Sequence, residues 1–335
     1  MKEDTGYQIG WDKVRKEFSM HQNEQTFHSK ILLFGEYSII QESMGLSLPY
    51  KAFEGQLRFE PSENASSDFI SNSNHHLKAF ADYLQQQLDK QALSIQFDIL
   101  QFKEDIAKGM YFESNIPQGF GIGSSGALVA AIYHKYTQNK ITLESEDIKH
   151  DILELKKILA NMESYFHGSS SGVDPLICYL NLPLLIKSKD NIEPVKVAMK
   201  NDGKGAIFLI DTGTPRKTEP LVKYYLEKME EGTYREFIEK QLKPFTNNCI
   251  QAFLNGDHET LFGYLTKLSK FQFEHFKPMI PRLFNKIWKR GLDSGEYYLK
   301  LCGAGGGGYI LGFTQNYERT KIELKDHKLE ILCHI

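Results

Sequence analysis

The chain lacks what would place it across a membrane, on nucleic acid or in an oxidising compartment. No apolar run approaches the roughly 20 residues of a membrane span, and no signal peptide opens the sequence. There is no excess of positive charge. Lys and Arg number 40 against 43 Asp and Glu, a net charge of −3, so no basic field draws the chain to nucleic acid or to an anionic membrane. Cysteine is sparse and scattered. Cys178, Cys249, Cys302 and Cys333 form no C-x-x-C, which argues for reduced cytoplasmic thiols and against a disulfide frame or a zinc site. No period of 20–50 residues repeats, which excludes solenoids and propellers. Both common nucleotide fingerprints are missing too. Ala127 and Leu128 stand where a Walker lysine and hydroxyl would follow Gly126, and "GFGIGSSG" lacks the first-strand context of a dinucleotide fold.

What is present begins with length. At 335 residues two packed domains are the expectation, and 41% hydrophobic with 25% charged residues is ordinary for a soluble globular chain. The opening residues to Phe27 are polar and weakly patterned, and Met20 offers a second start. "SKILLFGEYSII" (29–40) reads as a β-rich run interrupted at Gly35-Glu36, and "AFEGQLRFE" (52–60) alternates as a half-buried strand. "PSENASSDFISNSN" (61–74) reads as a polar loop and "HHLKAFADYLQQQLDKQ" as an amphipathic helix. Residues 93–102 and 109–117 read as strands, and 145–166 as a long helix. After a change of texture, "AIFLIDTG" (206–213) leads into more than 70 helical residues, then strand candidates around "GAGGGG" and a final "LEILCHI". A boundary near Lys204 gives domains 1–204 and 205–335, the second an α+β unit with helices on one face of an antiparallel sheet.

The densest signal is "PQGFGIGSSGALVAA" (117–131). Each glycine costs conformational entropy on folding, so such a cluster implies a close backbone approach. Placed between a strand and a helix that is apolar on nearly every side, it aims bare N–H groups and a positive dipole end into the interior. Phosphate is the usual occupant of such a site, and Ser124 and Ser125 add hydroxyls able to cap the helix or reach a metal ion. A tight helix–strand packing turn is the alternative.

Three stretches in order resemble the GHMP kinases, the family of galactose, homoserine, mevalonate and phosphomevalonate kinases. They are the lysine-bearing strand from His28-Ser29-Lys30, the loop "PQGFGIGSSGA", and "KLCGAGGGGYILGF", together spanning residues 28 to 313. Within the family the chain is most similar to the mevalonate kinase branch, through "ESYFHGSSSGVDP" and "IDTGTPRKT". It departs at Ser170, where proline is usual, and at Tyr37, where histidine is usual. The resemblance implies a two-domain fold, an N-terminal α/β domain and a C-terminal ferredoxin-like domain, with the site between them. It implies ATP and Mg2+ as cofactors. ATP would lie on Pro117, Gly119, Gly121, Ile122, Gly123, Ser124, Ser125 and Gly126, and the metal on Ser125 and Glu163. Asp174 matches the catalytic aspartate and Lys30 its partner. Glu36, Tyr37, Gly303, Ala304 and Gly305 match the acceptor side.

The chemistry is coherent without the resemblance. A lysine on an apolar strand is costly unless paired, and an ammonium beside a carboxylate favours its ionised form and a developing alkoxide. Asp174 itself reads as lying in a rigid turn at a strand start. His167, just before a helix-ending glycine, reads as satisfying carbonyls. Arg216 is an available cation for a substrate carboxylate. The reaction that the resemblance implies is phosphorylation of a small hydroxy acid, mevalonate at its 5-hydroxyl, to 5-phosphomevalonate of isoprenoid synthesis. Phosphomevalonate kinase, another small-alcohol or sugar kinase, and a catalytically silent nucleotide-binding relative remain alternatives. Nucleic acid and membrane are not expected partners, and a homodimer stays open.

Overall fold

A computed structural model describes the chain apart from residues 1–6, 8, 23, 24, 64, 198–201 and 217. Residues 1–6 and 8 of the polar opening and Lys217 of "IDTGTPRKT" therefore lie outside the described residues. The first part runs α1 (Trp11–Gln22), β1 (Phe27–Phe34), β2 (Gly45–Arg58), α2 (Ser67–Asp89), α3 (Ile99–Ala107), β3 (Tyr111–Ser114), α4 (Ser124–Tyr136), α5 (Ile148–His167), α6 (Val173–Leu180), β4 (Leu184–Ser188) and β5 (Asn191–Pro194). The second runs β6 (Ala206–Asp211), α7 (Thr218–Lys228), α8 (Gly232–Phe237), α9 (Lys243–Asn255), α10 (His258–His275), α11 (Asn285–Ser294), β7 (Tyr298–Leu301), β8 (Tyr309–Thr314), α12 (Tyr317–Glu323) and β9 (Leu329–His334).

The first sheet has the order β1-β2-β4-β5, with β3 also paired to β2, and each pairing is antiparallel. β1 is buried along nearly its whole length, and α4 and α6 pack against it. The second sheet has the order β7-β8-β6-β9 and is likewise antiparallel. Its chain order, strand, helices, two strands, helix, strand, is the split β-α-β arrangement of a ferredoxin-like domain. The two parts share a core. Phe34 stacks on Phe313 with ring centroids 5.5 Å apart, and the Tyr50 hydroxyl reaches Glu330 at 3.3 Å. No helix among the described residues is long and apolar enough to cross a membrane.

The structure corrects several local expectations. Residues 93–102 are not a strand: Phe97 makes one isolated bridge to Thr137 and α3 begins at Ile99. The burial there follows a helical step, Phe102 and Ile106 inside and Leu100 73% exposed. The loop over 61–74 ends early, because the Ser66 side chain accepts from Phe69 N–H and starts α2 eight residues before the expected helix. The weakly patterned opening holds α1, which buries Val14 and Phe18 one turn apart. Asp174 lies in the first turn of helix α6, not at a strand start. Pro175 reads as a turn residue in sequence, yet proline is tolerated within the first turn of a helix.

Candidate active site

β1 and α6 meet at a charged pair inside the molecule. Lys30 Nζ lies 2.9 Å from Asp174 Oδ2, with the lysine side chain 5% exposed and the aspartate 40%. The pair is therefore sealed on the lysine side and open on the carboxylate side. Lys30 is held by its own strand and by a bond from its N–H to Ile122 O, 2.9 Å, which ties the strand to the glycine loop.

That loop joins β3 to α4. Gly121 and Gly123 adopt φ of +75° and +86°, a region side chains rarely enter, and Gly123 is also the N-cap of α4. It brings no side chain to cap the helix, and the first intrahelical bond runs from Ala127 N–H to Gly123 O. The N–H groups of Ser124, Ser125 and Gly126 thus precede the helical ladder. A Cβ on Gly123 would lie 2.9 Å from Lys30 Cγ, so the loop hugs the Lys30 side chain. Gly126 has a different task. A Cβ there would meet the backbone of Asp174 and Pro175 at 3.0 Å, so its bareness lets the N-termini of α4 and α6 converge. Pro117 and Gly119 lie upstream, and Gly119 O accepts from Arg216 N–H at 2.9 Å. Ile122 is fully buried.

Beside the converging helices, Glu163 on α5 is 3% exposed. Ser125 Oγ donates to its Oε1 at 3.0 Å and Ser170 Oγ donates to its Oε2. Burial pushes the carboxyl up to about 7, helped by repulsion from Asp174 and opposed by both serine hydroxyls and Lys30. A buried carboxylate crowded by another, with a serine oxygen alongside, is a hard-oxygen donor set short of positive charge. It fits Mg2+, which takes one or two protein carboxylates and completes its shell with water and phosphate. Among the described residues no group of three or more His, Cys, Asp or Glu forms a fuller cage.

His167 departs from expectation. Its Nε2 lies 3.2 Å from Ser125 Oγ, so it faces this site rather than the helix-end carbonyls. The sequence also allowed His167 to be read as a general base, and its place four residues after Glu163 on α5 puts both on one helix face.

The second domain closes the site with its glycine cluster. Arg216 Nη1 donates to Cys302 O at 2.6 Å, and the guanidinium lies where side chains on Gly121 and Gly303 would be. The arginine therefore points between the two glycine loops. Gly308 packs on Phe120, its missing Cβ 2.6 Å from Phe120 O. Gly305 packs on the Met279 backbone.

Glu36 and Tyr37 do not project freely into a pocket. Glu36 pairs with Lys300 of β7, both side chains no more than 2% exposed, and also accepts from Gly303 N–H. Burial pushes the Glu36 carboxyl up while Lys300 draws it down. The Tyr37 hydroxyl donates to Ala304 O at 2.6 Å, and its ring packs on Tyr225 and Phe276 at 4.8 and 5.1 Å. Tyr37 holds φ +61°, a strained value for a tyrosine that these contacts enforce. Both residues thus brace the turn against Gly303 and Ala304. Tyr37→Phe should lower stability by about 1 kcal/mol through the lost hydrogen bond, read as a lower denaturation midpoint. Lys300 was missed in the sequence, where it reads as one more strand lysine.

Residues 74–181 match the family model of the GHMP kinases N terminal domain. No curated protein matches the chain in sequence. Solved structures do. L. major mevalonate kinase in complex with R-mevalonate is 15% identical over 90% of each chain, with a TM-score of 0.57. Lactococcus lactis galactokinase complexed with galactose is 13% identical over 97% of each chain, at 0.58. Streptococcus pneumoniae phosphomevalonate kinase is 14% identical over 92% of this chain and 97% of its own, at 0.54. The chain has the GHMP kinase fold. Relatives at similar distance act on different acceptors, so the fold does not choose among them.

Proposed function

We propose that this protein is an ATP-dependent small-molecule kinase that transfers the γ-phosphate of MgATP to the 5-hydroxyl of mevalonate, with 1–204 and 205–335 as its two domains and the cytoplasm as its setting. The observation that carries the reading is the Lys30–Asp174 pair, 2.9 Å apart, set where two helix N-termini and a glycine loop converge. Phosphoryl transfer asks mainly for positioning and charge neutralisation, and these parts supply both. The N–H groups at the start of α4 would take phosphate oxygens. Asp174, open on one side, would orient the acceptor hydroxyl and receive its proton, and Lys30 would hold the carboxylate in place and offset the oxygen's growing negative charge. Ser125 and Glu163 would hold Mg2+, which when bound neutralises phosphate charge.

A second acceptor class is kept in view by one observation. Tyr37, with its hydroxyl already spent on Ala304, stands where the mevalonate kinase branch has histidine. ADP release measured over mevalonate, phosphomevalonate, homoserine and galactose distinguishes the acceptors. Mevalonate should give the highest kcat/KM, and a clear preference for another compound would reassign the substrate.

The metal assignment has its own check. Glu163→Gln and Ser125→Ala should each raise the Mg2+ concentration giving half-maximal rate, because each weakens an oxygen ligand. Unchanged Mg2+ dependence in both variants would place the metal elsewhere.

A further inference from the structure

We propose that Ser170 is a positioning residue for the cation site: its hydroxyl fixes the second oxygen of Glu163, and with it the plane of the carboxylate that meets the metal. The inference rests on the kinase reading above.

Glu163 is gripped from two sides by two different elements. Ser125, at the start of α4, donates to Oε1, and Ser170, in the loop between α5 and α6, donates to Oε2. A carboxylate with one oxygen held can still swing about its last bond, whereas holding both fixes its plane. The direction of the Ser170 bond follows from its other partner. Gly172 N–H donates to Ser170 Oγ at 2.9 Å and uses that oxygen as an acceptor, so its one hydroxyl hydrogen is left for Glu163 Oε2.

The loop that carries Ser170 is itself anchored. Gly172 has φ +74° and packs so tightly on α5 that a Cβ there would lie 2.9 Å from Ala160 Cβ and would run into Lys156 O. Gly172 is also the N-cap of α6, two residues before Asp174. One short loop therefore ties the metal carboxylate to the helix start that bears the catalytic aspartate. A rival account gives Ser170 only a local turn, in which its oxygen caps Gly172 N–H. That account needs the acceptor lone pair and makes no use of the bond to Glu163.

Nucleotide binding separates the two. ATP binding to the full chain is followed by calorimetry across a Mg2+ titration, for the native protein, Ser170→Ala and Ser170→Thr. Partners behind a metal ligand are typically worth 10–100-fold in metal affinity, so Ser170→Ala should raise the Mg2+ concentration for half-maximal binding by about tenfold or more. Ser170→Thr, which keeps the hydroxyl, should return it to near the native value. A native Mg2+ requirement in Ser170→Ala overturns the assignment, as does an equal rise in both variants. Absence of Mg2+-dependent nucleotide binding in the native protein overturns this assignment and the cation role of Glu163 together. Mg2+-dependent binding without transfer to any acceptor overturns the kinase reading and leaves the Ser170 assignment standing.

Discussion

Asp174→Asn should lower kcat by roughly 10²–10⁴ while ATP affinity stays near native. Asparagine keeps the size and half of the hydrogen-bonding capacity but loses the charge that receives a proton. The aspartate side chain is 40% exposed while Lys30 is 5% exposed, so the carboxylate is the solvent-accessible member of the pair. The same substitution leaves Lys30, 5% exposed, facing a neutral amide. Removing one partner of a buried pair destabilises what remains. The melting temperature must therefore be measured on the same sample, and the rate taken well below it. Near-native turnover in the folded variant would remove Asp174 from the chemistry.

Gly123→Val is expected to abolish measurable ATP binding at concentrations that saturate the native protein, with acceptor binding much less affected. Two costs add. Valine must adopt φ near +86°, which costs an L-residue about 1–2 kcal/mol. Its Cβ would sit 2.9 Å from Lys30 Cγ and 3.5 Å from Cys178 Sγ, and overpacking of that kind costs about 1–3 kcal/mol more. Relief by backbone movement would turn the first N–H groups of α4 away from the phosphates. A packing turn without a ligand predicts the stability loss alone. Calorimetry and a melting curve on one preparation tell these apart, and a destabilised variant that binds ATP normally would assign the glycine to folding only.

What could be read from the sequence was whatever carried a physical demand. The glycines of 119–126 demanded a close approach. The structure supplies several, to Arg216, Lys30 and the backbone of Asp174, in addition to leaving the α4 N-terminus bare. Lys30 in an apolar strand demanded a counter-charge, and Asp174 is there at 2.9 Å. The order of strands and helices after residue 204 allowed one antiparallel sheet with helices, which is what forms.

The illegible parts depended on contacts distant in sequence. α3 was hidden because a short apolar run has no period long enough to separate strand from helix, and only packing decides. α6 was hidden by Pro175, whose meaning reverses once Gly172 is seen to be an N-cap. Glu36 and Lys300 lie 264 residues apart, and nothing local announces that two charged residues will be buried against each other. Tyr37 and Ala304 were both expected on the acceptor side, but nothing local announced that the Tyr37 hydroxyl would donate to Ala304 O, 267 residues away.

The central claim is that the Lys30–Asp174 centre moves phosphate from ATP to a small alcohol. Coupled ADP release, measured with MgATP in the presence and absence of mevalonate, tests it most directly, with Asp174→Asn run in parallel. The account predicts ADP release that depends on the acceptor, matches phosphorylated product mole for mole, and is lost in the variant. ADP release that is the same without acceptor, or an equal rate in Asp174→Asn, would contradict it.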